Sequence, residues 1–221
     1  MPRIVAIVPM REHSVRVPFK NRRAFAGEPL YRWIVNALAA CPLIDEIVID
    51  TDSPTILADA MPCVRMLERP EHLRADTLPM NDVLVNTTSA VEADFYVQTH
   101  STNPLLRTET IQHAIETFLA AHPAHDSLFS VTRRHTRLWD AAGKPINHDP
   151  AVLLRTQDLP PVFEENSCLY MFTRANLVAR GNRIGERPLM FEIDPIEAQD
   201  IDDEHEYRIA ELMMLDRKAS R

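Results

Sequence analysis

The stretch Ile4–Asn21 reads IVAIVPMREHSVRVPFKN. Ile4 to Val8 is an uninterrupted apolar run, the pattern of a strand buried on both faces. The run ends in a loop carrying Arg11, Ser14, Arg16, Pro18, Lys20 and Asn21. Such a strand and loop argue for an open α/β sheet, in which ligands sit beyond the carboxyl ends of the strands. Three cations within ten residues at that edge suit a polyanion, so the loop is expected to hold a nucleoside triphosphate. Arg can grip two phosphate oxygens at once, whereas Lys acts as a mobile point charge. Pro18 stiffens the loop, and Asn21 offers both a donor and an acceptor for a base or a ribose. For any one of these side chains, a solvated basic loop is the plain alternative.

The rest of the chain keeps the same rhythm. Pro29 opens a helix, with Leu30, Trp33, Ile34, Ala37, Leu38 and Cys41 at helical spacing. Glu46–Asp50 reads as strand, Ser53 and Pro54 start a short helix through Ala60, and Val64–Leu67 is a third strand. Met80–Val91 reads as helix and Phe95–Gln98 as strand. Thr108 is expected to cap a helix that places Ile111, Ala114, Ile115, Phe118 and Leu119 on one face. Ser127–Val131, Ser167–Phe172 and Leu189–Ile193 are further strands, and Glu204–Leu215 closes as helix. This order predicts a Rossmann-like three-layer α/β/α domain with a mostly parallel sheet. Residues 132–165, rich in Arg, His, Pro and Asp, break the rhythm and read as a protruding arm for dimerisation or as a long surface loop.

Composition narrows the possibilities. At 221 residues one domain spanning 1–221 is expected. A net charge of −8 speaks against a general nucleic-acid binder and makes the local cations near Arg11 stand out. No run of apolar residues is long enough to span a membrane, and the N-terminus shows no signal-peptide cleavage region. Three widely spaced cysteines, Cys41, Cys63 and Cys168, fit reduced thiols in a cytoplasmic protein. None of the four glycines lies in the Arg11–Lys20 loop, which excludes a dinucleotide fingerprint and a Walker-type P-loop.

Four other places carry candidate chemistry. In Asp200-Ile201-Asp202 the two carboxylates share one side of an extended segment, with Ile201 turned to the core. The pair can meet a cation, and magnesium prefers few carboxylates together with phosphate oxygens and water. Helix entry is the other reading, and Asp203, Glu204 and Glu206 suit that role. At Asp50-Thr51-Asp52-Ser53, Asp52 and Ser53 are expected to cap the following helix. Arg69 follows a short strand, available either to a ligand or to a neighbouring acid. Gln98–Asn103 (QTHSTN) crowds polar groups at the end of a central strand, with His100 open to several roles.

Together these pieces resemble the cytidylyltransferases that activate acidic sugars, especially the acylneuraminate branch, the CMP-sialic acid synthetases. The likeness runs over nearly the whole chain: Arg11, Ser14, Pro18, Lys20 and Asn21, then Gly27-Glu28-Pro29-Leu30, Thr51-Asp52, Arg69-Pro70 with Asp76-Thr77, Gln157-Asp158-Leu159-Pro160, Asn166 with Tyr170, and Asp200-Ile201-Asp202. It implies a reaction of CTP with an N-acylneuraminate or related nonulosonate, giving a CMP-sugar and pyrophosphate. Arg11, Lys20, Asp200 and Asp202 would be catalytic, the two aspartates holding Mg2+. Arg11, Ser14, Arg16, Lys20, Asn21 and Arg69 would bind the nucleotide, and His100, Asn103, Arg155 and Tyr170 the sugar. Arg155 would come from the partner of a homodimer. The departures are local. Family glycines are replaced by Glu12, His13 and Arg16, a lysine by Val15, the sugar-contacting glutamine by His100, and the glycine after Asn166 by Ser167. The alternatives are 3-deoxy-octulosonate as substrate, although those enzymes carry an aspartate where Thr102 stands, or a non-catalytic nucleotide-binding protein on this fold.

Overall fold

Strand β1 (Ile4–Met10) is buried along its whole length. Its side chains divide by parity: Ile4, Ala6, Val8 and Met10 join one apolar cluster, Val5 and Ile7 another. That is the two-residue period of a pleated strand, and two apolar faces require helices on both sides. The computed structural model, which describes residues 1–14 and 16–220, supplies them. Val15, which stands in place of the lysine in the related loops, lies outside the described residues.

A small hairpin, β2 (Ala24–Phe25) and β3 (Glu28–Pro29), leads into α1 (Leu30–Ala39). Then come β4 (Glu46–Thr51), α2 (Pro54–Leu57), β5 (Val64–Glu68), α3 (Met80–Ala90), β6 (Phe95–Thr99) and α4 (Thr108–Ala121). The second half contains β7 (Ser127–Arg134), β8 (Val162–Phe172), α5 (Arg174–Arg180), β9 (Pro188–Glu192) and α6 (Glu204–Ala219). The main sheet has seven strands in the order β5-β4-β1-β6-β8-β7-β9. Only β8 runs against its neighbours, β6 and β7, so the sheet is mostly parallel. Ile34, Leu38, Ile111, Ile115 and Phe118 of α1 and α4 cover one face. Leu84 of α3 and Leu177 of α5 cover the other. The expected α/β/α layering is present.

Several details differ from the sequence reading: α2 ends at Leu57 rather than Ala60, and Asp52 does not cap it but accepts from the Glu12 amide. Thr108 does not cap α4; the cap position is Arg107, and the Thr108 hydroxyl donates to the Ala37 carbonyl at 2.9 Å, tying α4 to α1. Helix α5 has no counterpart in the expectations, because Leu177 is its one buried residue and no apolar period announces it. Ser53 does cap α2, accepting from the Ile56 amide at 3.4 Å.

The expected arm starts as paired strand. Thr132–Arg134 and Val162–Glu164 continue β7 and β8 as an antiparallel ribbon. The register shifts between Phe129 and Val131, opposite Ser167, whose φ of 57° lies in the left-handed region. This is a β-bulge, the usual way to bend a ribbon out of a sheet. Side chains fasten it: Ser130 Oγ donates to Asn166 Oδ1 at 2.5 Å and accepts from the Leu169 amide at 2.9 Å, while Asn166 Nδ2 donates to Thr132 Oγ1 at 3.0 Å. Between the strands the chain is irregular, and it leaves Trp139, Ile146, Val152, Leu153 and Leu154 exposed.

A third apolar cluster decides where the site forms. Val17 of the first loop, Phe25 and Ala26 of the hairpin, Leu105, Ile201, and Tyr207, Ala210 and Met214 of α6 are all buried in it. It draws the two ends of the sequence together beside β1. Truncating Ile201 to Ala is expected to cost about 2–5 kcal/mol, the range for a fully buried branched side chain. Urea unfolding monitored by circular dichroism measures this, and an unchanged midpoint would refute the anchoring role.

Candidate active site

The carboxyl ends of the central strands open into a cavity of about 410 Å³. Pro9 and Met10 of β1, Arg69 after β5, and His100, Ser101 and Thr102 after β6 line it. Arg11, Ser14, Arg16, Lys20 and Asn21 line it from the loop, with Asp202 opposite. The cationic loop and the acidic segment, more than 180 residues apart in sequence, touch directly. Arg16 pairs with Asp202 at 2.6 Å, and the Lys20 ammonium donates to the Ile201 carbonyl at 2.5 Å.

Each loop cation is already engaged. Arg11 forms an ion pair with Asp76 across the cavity mouth. Lys20 is held below its ordinary pKa by burial, against the opposing pull of Asp200 and Asp202. Asn21 clips the loop to the sheet, donating to the Arg11 carbonyl at 2.8 Å and accepting from Ser101 Oγ at 2.7 Å. The loop keeps its shape without glycines because side chains brace it. Asp52 accepts from the Glu12 amide at 2.7 Å, Glu12 pairs with Arg22, and Phe19 adopts a left-handed φ of 54°.

Arg69 takes the ion-pair role at the edge of the cavity. It lines the cavity, yet its guanidinium is buried against Asp50, with Nε 2.6 Å from the carboxylate, and Thr87 Oγ1 donates to the same carboxylate at 2.7 Å. Removing one partner of such a buried pair leaves an uncompensated charge.

Asp200 and Asp202 flank the buried Ile201, but they do not line one cavity together as their spacing predicts. Asp202 faces the cavity; Asp200 is more enclosed and borders a neighbouring hollow at the base of the β7–β8 ribbon. Burial raises the Asp200 pKa, Asp202 adds to the rise, and a hydrogen bond from Thr102 opposes it. A carboxylate whose charge burial and a neighbouring acid both disfavour, in an all-oxygen setting, suits a hard divalent cation. Among the described residues no third His, Cys, Asp or Glu joins them to complete a metal cage. The next acids serve the helix: Asp203 caps α6, and Glu206 completes a capping box.

The residues expected at the sugar end are dispersed. His100 lines the cavity, whereas Asn103 is buried with both amide atoms unpartnered and does not line it. Tyr170 is buried in β8, its hydroxyl bonded to Glu165 and Ser167. Arg155 lies on the arm, exposed and paired with Asp158 at 2.7 Å, away from this chain's own cavity. Gln98 and Arg183 went unassigned in the sequence reading. Gln98 Nε2 lies 2.9 Å from His100 Nε2, and Gln98 Oε1 accepts from Arg183. An amide nitrogen can only donate, so His100 Nε2 is the acceptor and the ring carries its proton on Nδ1. No spacing rule could have found Arg183, which reaches Gln98 from 85 positions away.

Burial, with Arg183 and Lys20 nearby, pushes the His100 pKa from 6.5 down to about 3. The imidazole is therefore neutral at physiological pH, a hydrogen-bonding group rather than a cation. The linkage sign follows: above pH 6.5 neither folded nor unfolded His100 is charged, and below it the unfolded chain takes up a proton that the folded chain refuses. Stability falls as the pH drops from 6.5 towards 3. His100→Gln is expected to flatten that part of the pH–stability curve in chemical denaturation; an unaltered slope would refute the assignment. Asp50→Asn is expected to destabilise the fold by about 3–5 kcal/mol through the stranded Arg69, read from the same denaturation curves.

The family model for Cytidylyltransferase matches residues 5–218. The chain is 27% identical over 221 residues to an N-acylneuraminate cytidylyltransferase A of Danio rerio, covering 96% of this chain and 51% of that protein. It is 26% identical over 229 residues to a CMP-N,N'-diacetyllegionaminic acid synthase of Legionella pneumophila, covering 96% of each. The chain thus spans about half the length of the fish relatives it matches. In fold it is similar to a CMP:2-keto-3-deoxy-manno-octonic acid synthetase complexed with CTP, with a TM-score of 0.69, 16% identity, and 97% and 99% of the two chains covered. A 4-diphosphocytidyl-2C-methyl-D-erythritol synthase from Anaerococcus prevotii gives the same TM-score of 0.69 at 11% identity, covering 96% of each chain. With a family match over almost its full length and a cavity in which the first loop meets the second aspartate of an Asp-Ile-Asp segment, this chain belongs to the cytidylyltransferase family.

Proposed function

We propose that this protein transfers CMP from CTP to the anomeric hydroxyl of an acidic 2-keto sugar, an N-acylneuraminate or related nonulosonate, and releases pyrophosphate. The observation that carries the reading is the Arg16–Asp202 contact at 2.6 Å, which joins the cationic loop to the second aspartate of the acidic segment at one cavity. The relatives named for neuraminate and legionaminate substrates support the sugar class.

The sugar oxygen forms a bond to the α-phosphorus as the bond from that phosphorus to the pyrophosphate oxygen breaks; the hydroxyl proton leaves to solvent. Arg11, Arg16 and Lys20 neutralise charge on the transferred and departing oxygens. For this Arg11 must exchange Asp76 for phosphate, and Arg16 must release Asp202. Ser14 and Asn21 complete the nucleotide end, and Arg69 supplies a fixed positive wall. Asp200 and Asp202 would hold Mg2+, which when bound polarises the phosphate and lowers the pKa of the attacking hydroxyl. The neutral His100 offers the sugar a hydrogen-bonding group, with Asn103 and Tyr170 behind it.

The exposed apolar side chains of the arm suit a homodimer, with Arg155 delivered to the partner's sugar site. No helix among the described residues is long and apolar enough to cross a membrane. The three cysteines, all free, agree with a cytoplasmic setting.

The test is pyrophosphate release with CTP, Mg2+ and a panel of neuraminate, legionaminate and 3-deoxy-octulosonate sugars. Turnover on a nonulosonate is expected, and CTP binding without turnover on any sugar would overturn the reading. Asp202→Asn and Lys20→Ala are each expected to lower kcat by a factor on the order of 10²–10³, the usual loss when a group stabilising transition-state charge is removed. Steady-state kinetics at saturating CTP measures this, and full activity in either variant would remove that residue from the chemistry.

A further inference from the structure

Arg183 lies on the loop between α5 and β9 and plays no part in the steps above. Its guanidinium carbon sits over the Tyr170 ring, 3.5 Å from the centroid, and one nitrogen donates to Gln98 Oε1. Among the described residues it has no ion-pair partner, unlike Arg11, Arg16 and Arg69. Glu165 exerts a longer-range pull, but the Glu165 carboxylate bonds the Tyr170 hydroxyl. Burial holds the Arg183 pKa below its ordinary value, as expected of a cation lacking a close counter-ion.

The loop is built to hold this side chain still. The Arg183 amide donates to Asn81 Oδ1 at 3.3 Å, beside the cavity-lining Met80. Asp126 accepts from the amides of Glu186 and Arg187, each at 3.0 Å, and a Cβ on Gly185 would lie 2.1 Å from its Oδ1. Only glycine allows so close an approach. On its other side Arg183 is joined through Gln98 to His100, which lines the cavity. Tyr170 and the Gln98 amide hold the guanidinium in place, and no carboxylate among the described residues lies within ion-pair distance of it, which suits a planar anion.

We propose that Arg183 is the specificity residue that receives the carboxylate of the acidic sugar, supplied by the same chain whose cavity binds the nucleotide. The assignment rests on the proposed sugar class and goes beyond it by naming an intrachain reader of the substrate's charge. Arg155 can then contribute only a secondary contact from the arm.

The experiment compares wild type, Arg183→Gln and Arg183→Lys with N-acetylneuraminate and 3-deoxy-octulosonate, each as the free acid and as its methyl ester. Calorimetry measures sugar binding without CTP, and pyrophosphate release measures turnover. The wild type is expected to favour acid over ester, and Arg183→Gln to weaken acid binding and raise the sugar KM on the order of 10- to 100-fold, with the CTP KM unchanged. Arg183→Lys, which keeps the charge without the fork, should fall between them. If Arg183→Gln retains the wild-type preference for acid over ester, the inference fails while the cytidylyl-transfer reading stands. If the wild type binds the acids in an Arg183-dependent way but never turns them over, the inference stands and that reading fails. A wild type that neither binds nor turns over these sugars overturns both. A thermal melt of each variant separates these outcomes from misfolding, and an unfolded Gln variant leaves the decision to Arg183→Lys.

Discussion

Burial of Ile201 in the apolar cluster shared with Val17, Leu105 and Tyr207 is the constraint on which the site depends. The cations of the first loop and the aspartates before the last helix have no sequence proximity, and an exposed ion pair is too weak to bring them together. Apolar burial does it. Because Ile201 is flanked on both sides by aspartate, burying the one fixes both carboxylates at the end of the central strands. The hairpin after the loop and the face of α6 exist largely to close this cluster. The acidic segment is also tied to β6, since the Ile201 amide donates to the Thr102 carbonyl at 3.0 Å.

Around that anchor the site divides into two electrostatic regimes. In the first loop Arg11, Arg16 and Lys20 each have an oxygen partner. Beyond β6, the Arg183 guanidinium sits over an aromatic ring without a close counter-ion, near a histidine that burial keeps neutral. Burial makes the arrangement at Arg183 consequential, because an unmatched charge there is costly until a ligand matches it.

Much of this was legible in the sequence. The uniform burial of β1 followed from Ile4–Val8, and the strand-to-loop transition located the ligand edge. Asp200 and Asp202 were readable from their spacing, although their convergence on the loop needed the fold. Side-chain bracing was illegible. Nothing in a glycine-free loop announces that Asp52 and Asn21 will do the work of permissive backbone, and the left-handed φ of Ser167 is visible only against a pattern with glycine there. Arg69 shows the limit plainly: spacing left ligand and ion pair open, and the structure pairs it with Asp50 at the cavity edge. Arg183 escaped because its meaning arises from three partners, Tyr170, Gln98 and Asn81, drawn from separate elements.

The ion pairs of the loop also bear on how a catalytic cycle would end. A cationic cradle tight enough for a triphosphate risks retaining the liberated diphosphate. Here Asp76 and Asp202 stand as resident competitors, ready to reclaim Arg11 and Arg16 once the nucleotide is cleaved. Such internal rivals would lower the affinity for every anion in the cradle, the liberated diphosphate included. The carboxylates would thereby guard the protein against inhibition by its own by-product.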